Sequence, residues 1–181
     1  MKLEQTNLKD VYLIKPTVFN DERGYFFENY KTPVFKDTGI DINFVQDNVS
    51  KSSKGTLRGL HYQDSPAEQD KLVHCMSGCI FDVAVDIRPD SPTYKQWTGI
   101  ELSDENHFSL LVPKGFAHGF YVLSDTCIVS YKCSEVYTPE KDRAIRWDDP
   151  ELDIQWPIEK GISPKLSQKD MNASFLNSVR V

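Results

Sequence analysis

The stretch CIFDVAVDIR, residues 79–88, is the clearest β-strand in this sequence and determines the predicted fold. Its residues alternate with the period of two that places successive side chains on opposite faces of a strand. One face is apolar and consists of Cys79, Phe81, Val83, Val85 and Ile87. The other face is more polar and consists of Ile80, Asp82, Ala84, Asp86 and Arg88. We therefore expect one face to pack against a second sheet and the polar face to line either solvent or a wet cavity.

The same alternation returns in CIVSYKC, residues 127–133, and short β-branched and aromatic runs recur along the chain between ten prolines and nine glycines. These runs predict further strands at 11–14, 24–30, 43–50, 56–63, 70–75, 95–102, 107–112 and 117–123. Helix is scarce: one short helix is predicted at 32–39, ended by Gly39, and another in part of the C-terminal tail. No linker or internal repeat is evident. The sequence therefore predicts one all-β domain over residues 1–181, a jelly-roll β-sandwich of the cupin type with few short helices and a tail at about 171–181.

The charge and the cysteines narrow the functional classes. The chain of 181 residues carries a net charge of −6, which argues against binding to nucleic acid or to a membrane surface. The first residues, MKLEQTNLKDVYLIKP, lack an apolar core of signal-peptide length, and no window approaches a transmembrane span. The four cysteines form no C-x-x-C pair. We therefore expect reduced thiols and a cytoplasmic location.

The stretch LVPKGFAHGF, residues 111–120, contains Pro113, Gly115 and His118 in the spacing P-x-G-x-x-H. This spacing resembles the second motif of cupins, in which the histidine often binds a metal ion. A metal-binding cupin also needs an earlier His-x-His and a carboxylate, whereas this chain has HYQ at 61–63. Single imidazoles on two distant strands form a poor site for a divalent ion. We expect no metal and no cofactor, which leaves a metal-dependent cupin oxygenase as the less favoured alternative.

Without a metal, the chemistry has to come from side chains, and RGLHYQ, residues 58–63, supplies the first candidates. An imidazole such as that of His61 is suited to act as a general base at neutral pH. Lys71 could stabilise an oxyanion, and Tyr131 could act as a phenolic acid. Taken singly, each of the three is better explained as an ordinary strand or core residue. Arg58 and His61 also have opposite parity on a regular strand, so we expect a kink at Gly59 if both face one cavity.

The order of six longer motifs is more informative than any single residue. These motifs are FNDERGYFFENY, QDNVSKSSKGTLRGLHYQ, QDKLVHCMSGCIFDVAVDIRPDSPTY, LVPKGFAHGF, YKCSEVYTPEKDRAIRWDDP and IQWP. Together they resemble the dTDP-4-dehydrorhamnose 3,5-epimerase family, and the resemblance runs from about residue 10 to residue 170. It implies an isomerase that acts on a dTDP-linked 4-keto-6-deoxyhexose, inverting two carbons by proton transfer.

The resemblance also implies roles for individual residues. His61 is the residue that matches the family's base, and Asp170 matches the aspartate that orients it. Tyr131 matches the family's acid, and Lys71 matches the lysine placed near the keto oxygen. Tyr137 matches the aromatic residue that stacks on the thymine base. Further substrate-binding residues implied by the resemblance are Arg23, Glu28, Gln46, Asp47, Asn48, Arg58, His118 and Lys169. Asp142 belongs to the same set, although the family usually has glutamate at this position.

Two further expectations follow from the resemblance. The family's dimers exchange N-terminal strands, and the apolar start KDVYLIKP, residues 9–16, is compatible with strand addition to a partner sheet. We therefore expect a homodimer. Two alternatives to the 3,5-epimerase stay open at this stage: a monofunctional 3- or 5-epimerase acting on another nucleotide-linked 4-keto-6-deoxy sugar, and a sugar-nucleotide binder without catalysis.

Overall fold

The computed structural model describes residues 1–178, and this part of the chain contains thirteen strands and two short α-helices. The strands are β1 (Lys2–Gln5), β2 (Tyr12–Lys15), β3 (Val18–Asp21), β4 (Gly24–Phe27), β5 (Gln46–Ser53), β6 (Leu57–Gln63), β7 (Lys71–Ser77), β8 (Cys79–Asp86), β9 (Trp97–Ser103), β10 (Ser109–Val112), β11 (Phe116–Val122), β12 (Thr126–Cys133) and β13 (Asp142–Ala144). The helices are α1 (Thr32–Asp37) and α2 (Gln168–Met171).

Two sheets form the body of the molecule. The first sheet has six strands in the order β1-β2-β10-β7-β12-β5, and the second has five in the order β13-β6-β11-β8-β9. The strands β3 and β4 form a separate two-stranded hairpin. Strand pairing within residues 1–178 is antiparallel at every named ladder. The predicted fold class, a two-sheet β-sandwich with few short helices, is confirmed.

The main hydrophobic core lies between the two sheets. Val73 and Val129 reach it from the first sheet, and Ile80, Ala84 and Phe120 reach it from the second. Ile80 and Ala84 belong to the face of β8 that the sequence assigned to solvent or a wet cavity. This face therefore packs against the other sheet.

The apolar face of β8 packs elsewhere, so its predicted contact with a second sheet was wrong. Val83, Val85 and Ile87 form a second cluster with Leu152 and Leu176 of the C-terminal segment. This segment covers the outer surface of the second sheet, and for that reason both faces of β8 are buried. The predicted tail at 171–181 is packed at least in part, since Leu176 is only 1% exposed. Residues 179–181 of that tail lie outside the described residues.

Most of the individual elements agree with the sequence prediction. Each predicted strand has a counterpart within a few residues of its expected ends, and the helix expected at 32–39 is α1. The sequence pattern missed β1, β3 and β13, which are only three or four residues long. Such short strands contain too few residues to reveal a period of two.

The polar residues on the inner face of β8 are buried with partners. Asp86 is fully buried and accepts hydrogen bonds from the Arg88 guanidinium (2.8 and 2.9 Å) and from the Ser91 and Thr93 hydroxyls (2.5 and 2.6 Å). Burial alone would raise the pKa of Asp86, but these bonds outweigh it and lower the pKa to about 2. The carboxyl group of Asp86 is therefore ionised at neutral pH.

Two further observations concern the cysteines and the helices, on which the expected location depends. Each of the four cysteines is a free thiol in the structure. None of the helices in residues 1–178 is both long enough and apolar enough to span a membrane.

Candidate active site

A cavity of about 220 Å³ opens between the two sheets. Strands β6 and β11 of the second sheet form one wall of this cavity, and β5, β7 and β12 of the first sheet form the facing wall. The residues that line the cavity are Ser50, Arg58, His61, Lys71, His118, Phe120 and Tyr131. Five of these seven were predicted from the sequence, and they come together although they are far apart in the chain.

A bulge in β6 brings Arg58 and His61 to the same wall. His61 pairs with His118 and Arg58 pairs with Phe120, so β6 has one more residue than β11 between these two pairs. Gly59 lies in the bulge with φ of +131°, in a region that favours glycine. A Cβ atom on Gly59 would lie 2.5 Å from the Cα of Gly119 on β11. The predicted kink at Gly59 is confirmed, and it depends on two glycines that face each other.

His61 and Asp170 form a hydrogen-bonded pair, with 2.5 Å between His61 Nε2 and Asp170 Oδ1. Burial alone would raise the pKa of Asp170, which is 2% exposed, but hydrogen bonds from His61 and Ser167 lower it below its ordinary value. The side chain is therefore a carboxylate, and a carboxylate can only accept, so Nε2 carries the proton. This fixes the tautomer of His61 and leaves Nδ1 free to accept a proton.

The position of Asp170 depends on the short helix α2. The hydroxyl of Ser167 accepts a hydrogen bond from the Asp170 backbone N–H (3.1 Å) and donates to Asp170 Oδ2 (2.8 Å). Ser167 is thus both the N-cap of α2 and the second partner of the carboxylate. On either side of α2, the chain is joined to the sandwich by backbone bridges, Thr56 to Lys165 and Ile145 to Ser174. Ser167 was not among the residues predicted from the sequence, although S-x-x-D is a capping pattern.

Lys71 is a buried cation at the start of β7. Its side-chain ammonium donates to the backbone carbonyl of His61 (3.3 Å), and the residue is 9% exposed. Burial lowers the pKa of Lys71, while the thiol of Cys133 and the carboxylate of Asp142 act in the opposite direction. An anion arriving beside Lys71 would stabilise its charged form.

Tyr131 lies on β12, in the sheet opposite to His61. Burial raises the pKa of its phenol, and the negative groups nearby act in the same direction. The hydroxyl is therefore protonated at neutral pH and able to donate. A phenol on one wall thus faces an imidazole on the other.

His118 pairs with Asp82, a residue outside the predicted site. Its Nε2 lies 2.8 Å from Oδ1 of Asp82, a carboxylate with no solvent exposure. The alternation along β8 had placed Asp82 on the face expected to line either solvent or a wet cavity, and this was the only signal for the contact. Asp82 Oδ2 has no hydrogen-bond partner among the described residues.

A second group of predicted residues lies together beside the cavity. The Tyr137 hydroxyl donates to Asp142 Oδ2 (2.9 Å), and the Lys169 ammonium lies 2.5 Å from the same carboxylate oxygen. The Tyr137 backbone N–H donates to Gln46 Oε1 (2.9 Å), and Gln46 in turn donates to Asn48 Oδ1 (3.0 Å). Because Lys169 is adjacent to Asp170 in α2, this group borders the His61–Asp170 pair.

Three predicted binding residues lie away from the cavity of their own chain. Arg23 and Glu28 are at the β3–β4 hairpin, where they form exposed ion pairs with Asp21 (2.5 Å) and Lys31 (2.8 Å). The side chain of Asp47 points to the outer face of β5 and pairs with Lys132 (2.9 Å). The residues on either side of Asp47 point inward because successive side chains of a strand alternate.

Potential metal ligands do not converge in the part of the chain described here. Residues 1–178 contain no group of three or more histidine, cysteine, aspartate or glutamate side chains arranged to hold a metal ion. Each cavity histidine instead has its own carboxylate partner. The absence of a metal stays a prediction.

The fold and the cavity together define a β-sandwich of the cupin type that carries acid–base side chains on facing walls. A family model for dTDP-4-dehydrorhamnose 3,5-epimerase matches residues 5–178. The chain belongs to this family of isomerases.

Similarity to individual relatives covers nearly the whole chain. The dTDP-4-dehydrorhamnose 3,5-epimerase of Methanothermobacter thermautotrophicus is 51% identical over 168 residues, which cover 93% of this chain and 90% of that protein. The crystal structure of dTDP-6-deoxy-D-glucose-3,5-epimerase from Legionella pneumophila, in complex with dTDP-4-keto-L-rhamnose, has a TM-score of 0.94 at 46% identity, covering 99% of this chain and 94% of that one. The crystal structure of ChmJ, a 3'-monoepimerase from Streptomyces bikiniensis, in complex with dTDP-quinovose has a TM-score of 0.89 at 32% identity. The match covers 95% of this chain and 86% of that one.

Proposed function

We propose that this protein inverts carbons 3 and 5 of dTDP-4-dehydro-6-deoxy-D-glucose to produce dTDP-4-dehydro-L-rhamnose, for the biosynthesis of rhamnose and cell-surface polysaccharides. One observation carries the proposal: the His61–Asp170 pair and the Tyr131 phenol lie on facing walls of one cavity, which Lys71 also lines. Inverting a carbon requires proton removal from one side and proton return from the other, and this cavity has a suitable group on each side.

The 4-keto group of the substrate makes the reaction possible. It acidifies the hydrogens on carbons 3 and 5, because the electron pair left by proton removal can move onto the keto oxygen. His61 Nδ1 takes the proton, the C–H electron pair forms the enolate, and Lys71 stabilises the negative oxygen. Tyr131 then protonates the same carbon from the opposite face, which inverts it. His61 and the Tyr131 phenolate regain their starting states through solvent, and a second round inverts the other carbon.

Asp170 acts on this reaction through His61. It keeps the proton on Nε2, so that Nδ1 is the basic nitrogen, and it stabilises the imidazolium that forms when His61 accepts a proton. Only protons are transferred in each round. The proposed chemistry therefore requires neither a metal ion nor a redox cofactor.

The nucleotide part of the substrate is bound beside the cavity. Arg58 and His118 interact with the diphosphate end of the sugar, where a guanidinium can bind phosphate through two hydrogen bonds. The Tyr137 ring stacks on the thymine base, and Asp142 and Lys169 hold that ring and contact the nucleotide. Gln46 and Asn48 contribute side-chain contacts, whereas Asp47 contributes through its backbone.

A second copy of the chain completes the binding site. Three aromatic residues of the β3–β4 hairpin are largely exposed: Phe19 (59%), Tyr25 (56%) and Phe26 (66%). Exposed aromatic clusters of this kind mark interaction surfaces. The stretch 9–16, which was expected to add to a partner sheet, contains β2, and β2 pairs with β1 and β10 of its own chain. We place the β3–β4 hairpin instead against the partner in a homodimer, as the exchanged element, so that Arg23 and Glu28 reach the partner's cavity.

Mixed dimers test this arrangement. An Arg23→Ala chain and a His61→Ala chain, each inactive alone, should regain activity when refolded together. If Arg23 serves the partner's cavity, one of the two sites in the mixed dimer receives both native residues. Activity of about half the wild-type value per mixed dimer is expected, measured after separating the mixed dimer by differential tags. A mixed dimer as inactive as its parents would contradict the exchange.

Deuterium labelling tests the reaction itself. Incubation with dTDP-4-dehydro-6-deoxy-D-glucose in heavy water should place deuterium at both carbon 3 and carbon 5, which NMR resolves separately. Label at a single carbon would instead support a monofunctional epimerase, the activity named for ChmJ. The absence of deuterium at both carbons would indicate a sugar-nucleotide binding protein without catalytic activity.

Location and domain organisation complete the proposal. The four free thiols suit a reducing compartment, so we place the reaction in the cytoplasm.

The C-terminal segment contributes both to the core, through Leu176, and to the site, through Asp170. We therefore treat the sandwich and this segment as one domain.

A further inference from the structure

The side-chain amide of Gln63 holds the segment that carries Tyr137. Gln63 is the last residue of β6 and is 5% exposed. Its Oε1 accepts a hydrogen bond from the Thr138 backbone N–H (2.7 Å), and its Nε2 donates to the Val136 carbonyl (3.3 Å). The same nitrogen donates to the Ala67 carbonyl (2.7 Å). One buried amide thus binds the residues on both sides of Tyr137 and a neighbouring turn.

Tyr137 itself is exposed but held at both ends. The residue is 53% exposed, while its backbone N–H donates to Gln46 and its hydroxyl donates to Asp142. Exposed aromatic side chains on loops ordinarily sample several rotamers, and ordering them on binding costs free energy. Here the backbone is fixed by Gln63 and Gln46 and the hydroxyl by Asp142, while about half of the residue stays exposed.

We propose that Gln63 is a positioning residue for nucleotide binding: it fixes the backbone around Tyr137 so that the ring is in place before the thymine base arrives. This inference rests on the proposed function, since it assumes that Tyr137 stacks on the base. Gln63 touches neither the base nor the reacting carbons. Its effect therefore appears in the affinity for the nucleotide and not in the chemical step.

Removing the amide tests the proposal. In Gln63→Met, a side chain of similar length replaces the amide, leaving the Thr138 N–H and the Val136 carbonyl without their buried partner. We expect the Kd for dTDP, measured by isothermal titration calorimetry, to rise by roughly 10- to 100-fold, because a lost buried hydrogen bond corresponds to about one or two powers of ten. The Kd for inorganic pyrophosphate should stay within twofold, and kcat at saturating substrate should fall by less than about threefold.

Three further variants keep the test decisive. Gln63→Glu retains the acceptor for the Thr138 N–H but turns a buried carboxylate oxygen toward the Ala67 and Val136 carbonyls, so its Kd for dTDP should rise at least as far as that of Gln63→Met. Gln63→Leu, which also removes the amide, carries the test if the methionine variant does not fold. Gln155→Met is the matched control, because the exposed Gln155 amide donates to the backbone and the side chain of the nearby Asp153. It should bind dTDP as the wild type does.

A double-mutant cycle separates this role from a general loss of structure. If Gln63 acts through Tyr137, adding Gln63→Met to Tyr137→Ala should change the Kd for dTDP by less than twofold beyond Tyr137→Ala alone. The inference would be overturned if the effects of the two substitutions on the Kd for dTDP were additive. It would also be overturned if Gln63→Met weakened pyrophosphate binding as much as dTDP binding, or left the Kd for dTDP unchanged. Failure of the assumed base stacking looks different, since Tyr137→Ala itself would then leave dTDP binding unchanged. Failure of the proposed epimerisation would appear instead as the absence of deuterium at carbons 3 and 5.

Discussion

Replacing His61 by alanine abolishes epimerisation, and replacing Tyr131 by phenylalanine does the same, but the two variants differ in hydrogen exchange. His61→Ala lacks the base, so neither product formation nor exchange of substrate hydrogen with heavy water takes place. Tyr131→Phe keeps the base, so the proton can still leave and a deuteron can return from the same side. We expect turnover to fall by at least about 10³-fold in both variants, within the range for losing an acid–base group.

One NMR experiment measures both quantities. Deuterium on unreacted substrate reports proton removal, and the coupling pattern of the product reports inversion. Tyr94→Phe is a suitable control, because this tyrosine packs against the C-terminal cluster on the outer side of the second sheet. It should retain wild-type turnover. An equal loss of exchange in His61→Ala and Tyr131→Phe would show that Tyr131 is needed before the first proton leaves, and would remove it from the proposed role as acid.

Substituting Lys71 by methionine lowers kcat by roughly 10²- to 10³-fold, the range for losing one group that stabilises an oxyanion. Methionine has a similar length, so it fills the buried space while removing the charge. The effect falls on kcat because the negative oxygen exists only after His61 has taken the proton. Binding of dTDP, which lacks the 4-keto sugar, should change little.

The outcome for Lys71 is measured by steady-state kinetics together with titration of dTDP. Lys51→Met provides the control, since Lys51 lies on the exposed outer face of β5. A variant of Lys71 with raised KM and unchanged kcat would reassign this lysine to the diphosphate. A loss of dTDP affinity as large as the loss of kcat would lead to the same reassignment.

The sequence pattern of β8 shows what local periodicity can and cannot predict. The alternation assigned Asp82 and Asp86 to one face, which was expected to line either solvent or a wet cavity. Both carboxyl groups are buried, Asp82 lies beside His118, and the apolar residues of this face pack against the other sheet. The partner of the apolar face was predicted wrongly. The residues that cover it, Leu152 and Leu176 among them, come from a segment without a regular period, so no local pattern connects them to β8.

The candidate site was predictable only in part from its residues. Gly59 between Arg58 and His61 indicated the bulge, because glycine is the residue that tolerates it. The same parity argument, applied to β5, would have placed Asp47 outside the cavity. The pairing of His61 with Asp170 could not follow from spacing, since 109 positions separate them, and it was predicted through the family resemblance. Arg23 and Glu28 cannot be located from one chain if a second copy places them.

The facing glycines of β6 and β11 have a consequence for redesigning this protein. A Cβ at position 59 would collide with the backbone of Gly119, and a Cβ at position 119 would lie 2.7 Å from the Arg58 carbonyl. At these two positions the main chains of β6 and β11 are in direct contact, so neither position has room for a side chain. Mutant libraries intended to broaden the range of accepted sugars should leave both positions constant and diversify the surrounding loops, where new side chains can be accommodated.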